Sequence, residues 1–93
     1  MYIVKRTYRR TDTTTTFFED VVFDRYQHKM YGKTMAHNHF IEEDNCKRNI
    51  QVFFNEEQYQ RWVDDPMVRK FMIDMTAYNK ENNISFNEIR ATV

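Results

Sequence analysis

NIQVFFNEEQYQRWVDDPMVRKFM, Asn49 to Met72, is the stretch whose reading decides the fold. Ile50, Val52 and Phe54 alternate with Asn49, Gln51 and Phe53, the period of a strand. On this pattern one face of the strand is core and the other is mostly polar. Asn55 then supplies an N-cap, and Glu56 and Glu57 suit the positive end of a helix dipole. Tyr59, Trp62 and Val63 form the apolar stripe of that helix, with Trp62 packing in the core. Asp65-Pro66 stops it and restarts a second helical piece, with Asp65 as cap and proline at the first helical position. Val68, Phe71, Met72, Met75 and Tyr78 or Asn79 continue the stripe until Asn79–Asn83 breaks it.

Upstream, Met1–Arg10 reads as a strand with Tyr2, Val4 and Tyr8 on one face and Met1, Ile3 and Thr7 on the other. Thr16 and Glu19 form a T-x-x-E capping box. They predict a helix over Phe17–Tyr31 with Phe18, Val22, Tyr26 and Met30 as its stripe, although FFEDVVF also fits a strand. Gly32, the single glycine, falls where a left-handed cap is wanted. Thr34–Glu43 is a second strand, with Met35, His37, His39 and Ile41 on one face. Glu42–Lys47 makes a polar turn, Arg48–Phe54 a third strand, and Ile84–Val93 the last. The order β-α-β-β-α-β is the ferredoxin-like arrangement. It predicts an α+β fold: four antiparallel strands, helices on one face, and an open face that a partner, a ligand or water must cover.

Ninety-three residues make one expected domain, 1–93. A chain of this length buries only about 60–65% of its extended surface. Cys46 is the only cysteine, so no internal disulfide can staple the chain. Eight Phe, six Tyr, one Trp and six Met are many large side chains for so small a body, and they favour self-association through an interface. Fourteen basic and fourteen acidic residues balance to zero, which removes any global electrostatic case for nucleic acid or anionic membrane. No transmembrane run or signal peptide is visible, and a cytoplasmic protein is expected. A glycine-rich phosphate loop is impossible with one glycine, and neither cofactor nor metal is expected.

Val52–Phe71, with its strand, N-E-E-Q-Y-Q-R-W, D-D-P and second helical piece, resembles the antibiotic-biosynthesis-monooxygenase type of dimeric α/β barrel. The resemblance implies a ferredoxin-like subunit whose open sheet face packs on a second copy. Family enzymes commonly place a Trp near the end of the third strand and a His soon after the proline break. Here the strand ends Phe53-Phe54, and the break is followed by Met67-Val68-Arg69. The resemblance therefore brings fold and dimerisation, and no catalytic residue.

His37 and His39 are the candidate site residues. At i and i+2 on a strand they share a face and could polarise a carbonyl or shuttle a proton. A stable metal site needs three or four ligands, and no third is marked by spacing. An open-face polar patch is the plainer reading, and no catalytic role is expected of either. His28 is read as a solvent-side residue. Lys5, Arg6, Arg9 and Arg10 cluster four cations as a candidate nucleic-acid contact. The element order is also that of the RNA-recognition motif, but Lys47–Phe54 puts Asn49 and Gln51 at its two base-stacking positions. Lys47 and Arg48 beside Cys46 could sharpen that thiol, with no base marked for it. Glu42-Glu43-Asp44 reads as a solvated turn.

The resulting expectation is a small homodimeric binding or regulatory protein. A composition poor in Gly and rich in Asn, Asp, Lys and Tyr suits a phage-type accessory gene, and a separate protein partner is allowed. The alternatives are a cofactor-independent monooxygenase or isomerase-like enzyme of the barrel type, and a weak RNA- or DNA-binding protein using the basic strand.

Overall fold

The computed structural model describes residues 1–93. Four strands and three helices follow in the order β1 (Tyr2–Arg9), α1 (Val21–His28), β2 (Met35–Glu42), β3 (Cys46–Phe53), α2 (Glu56–Asp64), α3 (Pro66–Glu81) and β4 (Ser85–Thr92). The strands form one antiparallel sheet in the order β2-β3-β1-β4. This is the ferredoxin-like α+β fold predicted from the element order.

The caps read from sequence hold α2 and α3. The Asn55 side chain accepts from the Gln58 N–H at 2.8 Å, and Asp65 accepts from the Met67 N–H at 2.8 Å with Pro66 opening α3. Their apolar stripe builds the core: Tyr59, Trp62 and Val68 pack with Tyr2, Val4 and Phe53 of the sheet and Phe23 of α1.

The first helix is shorter than its sequence predicts. Thr16 does not cap it; Asp20 does, accepting from the Phe23 N–H at 3.0 Å. The reason lies in Phe17 and Phe18. Phe17 is buried beside the Arg10 guanidinium, 4.6 Å from its ring, and Phe18 packs on Phe71 and Tyr78. Consecutive helical residues diverge by about 100°, so an irregular chain serves two adjacent aromatics better. The inward face of α1 is then Phe23 and Gln27, and Val22 of the expected stripe is 69% exposed. Gly32 does adopt the left-handed region, φ 81°, but in the turn entering β2 rather than as the helix cap.

Two faces of the sheet are assigned differently from the strand patterns. A bulge between Met35 and His37 shifts the register of β2, so Met35 turns into the core while His37 and His39 point to the open face. On β3 the expected sides are reversed. Asn49, Gln51 and Phe53 lie under the helices and are buried, whereas Ile50 and Val52 lie on the open face.

Candidate functional site

The inner face of the sheet carries a row of polar side chains that a core strand does not need. Arg6 of β1 stands opposite Asn49 of β3 and Glu88 of β4, and Gln51 is one pair further along. Arg6 is 3% exposed, Asn49 4% and Gln51 2%. A buried guanidinium is tolerated only when paired and hydrogen-bonded. Its Nε donates to Glu88 Oε2 at 3.2 Å, and its Nη1 donates to Asn49 Oδ1 at 3.3 Å and to Gln51 Oε1. Gln51 Nε2 donates in turn to Gln27 Oε1 of α1 at 3.0 Å, and Asn49 Nδ2 to Asn38 Oδ1 of β2 at 2.6 Å. On the other side Glu88 Oε1 accepts from the Tyr59 hydroxyl at 3.0 Å and lies 3.5 Å from Arg90 Nε. The network thus ties all four strands to α1 and α2.

Above it is a cavity of about 490 Å³ between the inner sheet face, α1 with its preceding loop, and α3. Arg6, Asn49 and Gln51 form its floor; Phe17, Phe23, Trp62, Phe71 and Met75 are among its walls. Trp62 is 3% exposed, and the Arg6 guanidinium lies over its ring, 5.0 Å from the centroid, a cation–π contact in a dry setting. Two donors at this floor have no protein partner, Arg6 Nη2 and Trp62 Nε1. A buried unpaired donor in a native structure calls for an explanation. Here both belong to residues that line the cavity.

The electrostatics differ between floor and rim. Burial pushes the Tyr8 hydroxyl up to about 12, against the opposing pull of Arg6. Burial also raises Tyr59, with Glu88 adding to it. At the rim, partial burial raises the Asp24 carboxyl above its ordinary range, opposed by Lys47. Tyr8, Asp24 and Lys47 all line the cavity.

The residues singled out from sequence go elsewhere. His37 and His39 stack on the exposed side of the edge strand β2, centroids 5.7 Å apart, away from the cavity. No third His, Cys, Asp or Glu joins them in a metal-ligating group. The four clustered cations are split. Lys5 and Arg9 are on the open face, Arg6 is buried inside, and Arg10 donates to the Asp44 and Thr15 carbonyls. Arg6 is therefore unavailable as a nucleic-acid contact: its side chain alternates inward with Tyr2, Val4 and Tyr8. Cys46 is the first residue of β3 and buried, not part of a turn. Sequence reading missed Arg6, Asn49, Gln51, Gln27 and Glu88 as a set. Asn49, Gln51 and Arg6 do fall at alternate positions, but polar alternation reads as a solvent face until the helices are placed.

No protein-family model and no curated protein matches the chain. Solved structures do. SnoaB, a cofactor-independent oxygenase from Streptomyces nogalater, superposes with a TM-score of 0.68 at 11% identity, over 99% of this chain and 91% of that one. A protein from Deinococcus radiodurans assigned as an antibiotic biosynthesis monooxygenase gives 0.65 at 9% identity, over 100% and 92%. A dimeric ferredoxin-like protein from an uncultured marine organism gives 0.57 at 10% identity, over 100% and 94%. At such identities the likeness establishes the fold, and the fold-level resemblance to the monooxygenase-type barrel stands. The expectation of a binding or regulatory protein of phage-accessory type is corrected. The structures that superpose on nearly the whole chain include a cofactor-independent oxygenase, and the helix-covered layer holds an aromatic-walled cavity with a polar floor rather than a closed apolar core.

Proposed function

We propose that this chain is an enzyme of the cofactor-independent oxygenase type, which takes an electron-rich aromatic molecule into the inner cavity and works in the cytoplasm as a homodimer closed over the open sheet face. The observation that carries this reading is the buried Arg6 network under a cavity walled by aromatics. Polar groups under helices are costly, and a concave, mostly apolar site with a few convergent polar groups is the usual form of a small-molecule site. The fold likeness to SnoaB supports the reaction class.

In that class an activated C–H of the substrate gives up a proton and the resulting carbanion reduces dioxygen. A CH2 becomes a C=O; one oxygen atom stays on carbon and the other leaves as water with the two hydrogens. The chain's own contribution is confinement and proton handling. Trp62 and the stacked pair Phe23 and Phe71, centroids 4.1 Å apart, give the cavity aromatic walls that keep water from a planar ring. Asp24, its carboxyl raised by partial burial, is the base at the cavity rim, a stronger proton acceptor than an ordinary surface carboxylate.

Homodimerisation follows from the open face. Ile3 pairs there with Val52, while Ile50 and Ile89 flank Lys5 of β1; Ile3, Ile50 and Val52 are half-buried and Ile89 is 59% exposed. Apolar side chains on a sheet face that no helix covers favour a cover.

Oxygen consumption by the purified protein with a panel of quinols and other electron-rich aromatics tests the enzyme reading. Uptake should depend on substrate and fall about 100-fold in Asp24→Asn, the usual scale for losing a positioned base. Absence of uptake with every substrate would overturn it.

A further inference from the structure

The open face of the sheet changes character along its strands. Toward the start of β1 it is apolar, with Val52, Ile3 and Ala91 side by side in one row. Toward the end of β1 it is polar and cationic. Thr7 stands there between Arg48 of β3 and Asn87 of β4, with Lys5 and Arg9 two residues before and after it on its own strand. Directly paired residues have Cβ atoms about 5 Å apart, and residues i and i+2 of a strand lie about 7 Å apart. Lys5, Arg9 and Arg48 are long enough to converge above the Thr7 hydroxyl from three sides. An ammonium, two guanidinium groups, a hydroxyl and an amide are the donors that a phosphate-type oxyanion takes. The chain as a whole is neutral, yet none of the residues that the four strands turn to this face is acidic. Lys5 and Arg9 are exposed and belong to no ion pair. Arg48 meets one acid, Glu43 just past β2, at 3.5 Å with both side chains exposed, and such a pair contributes little.

A second copy over this face does not bring the missing carboxylates. Two copies related by a two-fold axis present the same surface to each other, so what meets Lys5 and Arg9 is again a face without acids. Covering an unpaired cation costs free energy, and a bound anion removes that cost. A compact anion fits better than a nucleic-acid strand, because the cations gather around one residue and no Phe, Tyr or Trp lies on this face for bases to stack on. We infer that the open face binds a doubly charged tetrahedral oxyanion, inorganic phosphate or a phosphomonoester, over Thr7 between Lys5, Arg9 and Arg48, and that the homodimer carries this anion in its interface. This rests on the reading that a second copy covers the open face. It adds the ion that such a dimer needs.

The test is sedimentation equilibrium of the full chain at neutral pH, in chloride and in phosphate at equal ionic strength. Phosphate at about 10 mM is too dilute to drive apolar surfaces together by salting out. The dimer dissociation constant should fall about tenfold or more in phosphate, the linkage expected once the anion exceeds its own Kd about tenfold. The phosphorus NMR line should broaden saturably as chain is added. Lys5→Gln with Arg9→Gln removes two exposed cations and should melt like the parent; Lys5→Gln alone serves if the double variant does not fold. In chloride the variant should associate more tightly than the parent, because it has fewer unpaired cations to cover, and phosphate should change its constant by less than about twofold. A merely structural role for Lys5 and Arg9 would give a weaker dimer instead. Methyl phosphate distinguishes the two sources: an effect equal to that of phosphate assigns the site to phosphomonoesters, an effect of phosphate alone assigns it to the free ion, and both support the inference. A dimer equally tight in both salts, a strengthening by phosphate that survives in the variant, or a variant dimer weakened in chloride would overturn it. So would tighter binding of a short single-stranded RNA than of phosphate. A dimer indifferent to phosphate leaves the dimer reading standing and sinks this one. A monomer in both salts that binds phosphate saturably, and loses it in the variant, sinks the dimer reading and leaves the anion site.

Discussion

The two faces of the β-sheet each carry side chains of the kind the other would ordinarily hold. The inner face, roofed by α1, α2 and α3, buries an arginine, an asparagine and a glutamine. The outer face, with no helix over it, carries Ile3, Ile50, Val52 and Ile89 around Lys5. A sheet that only had to fold would not bury these three polar side chains or leave these four apolar ones uncovered, since apolar area belongs under the helices and polar groups in water. These exceptions suggest that each face answers to something besides folding. The inner polar row serves a cavity, and the outer apolar row awaits a cover. It also explains how so small a chain accommodates both a core and a cavity: apolar side chains from the helices and from β1 and β3 ends surround the polar row in two clusters, one around Trp62 and Phe53, the other around Tyr8 and Phe17.

The largest effect expected on the inner side is from Trp62→Ala. It removes the wall over Arg6 and the contacts with Phe53 and Tyr59. A cost of about 3–5 kcal/mol in denaturant unfolding is expected, as for large aromatic truncations in cores. A mutant that melts like the parent would show that the inner layer is not a packed core at all.

On the outer side Ile50→Lys is the sharpest probe. It places a second cation beside Lys5 on the open face without touching Asn49 or Gln51. If the row is an interface, association should weaken by about 2 kcal/mol or more, the scale of an interface hot spot, and light scattering should show an 11.6 kDa monomer where the parent is a dimer. A parent chain that is itself a monomer at micromolar concentration would break the comparison on this side.

Alkali distinguishes the faces through Tyr8. Its pKa is about 12 in the fold against an ordinary value of 10.0. The folded pKa is the raised one, so the stabilisation is complete below pH 10 and is lost as pH climbs towards 12. The stake is of the order of 2–3 kcal/mol at about 1.4 kcal/mol per pH unit. Unfolding free energies measured across that window should fall, and should fall less steeply in Tyr8→Phe.

The smallest effect is expected from His37→Gln with His39→Gln. Both rings are exposed on the edge strand and far from the inner row. Stability should change by less than about 0.5 kcal/mol, and oxygen uptake should not change. Loss of uptake in the double variant would move the chemistry to the outer face.

The order of strands and helices was legible in the sequence because its signals are local. Asn55 and Asp65 cap from within their own turns, Pro66 can only open a helix there, and Tyr59, Trp62 and Val68 are spaced by the helix itself. The sequence misplaced the start of α1 because a capping box is a weaker claim than the burial of Phe17. It misread β2 because a bulge leaves no mark in an alternating pattern. Above all, alternation on β1 and β3 says that two faces differ and not which one the helices will cover. Arg6, Asn49, Gln51, Gln27 and Glu88 are scattered from residue 6 to residue 88, and nothing local links them. Only the tertiary structure decided that they meet, because the pairing of β1 with both β3 and β4 sets them side by side and α1 closes over them. The sequence by itself determined the ferredoxin-like order of elements and the caps that open α2 and α3, all of which rest on contacts within a few residues. The inner polar row, its cavity and the bare apolar face depend on which side of the sheet the crossovers pass, a choice made by long-range packing.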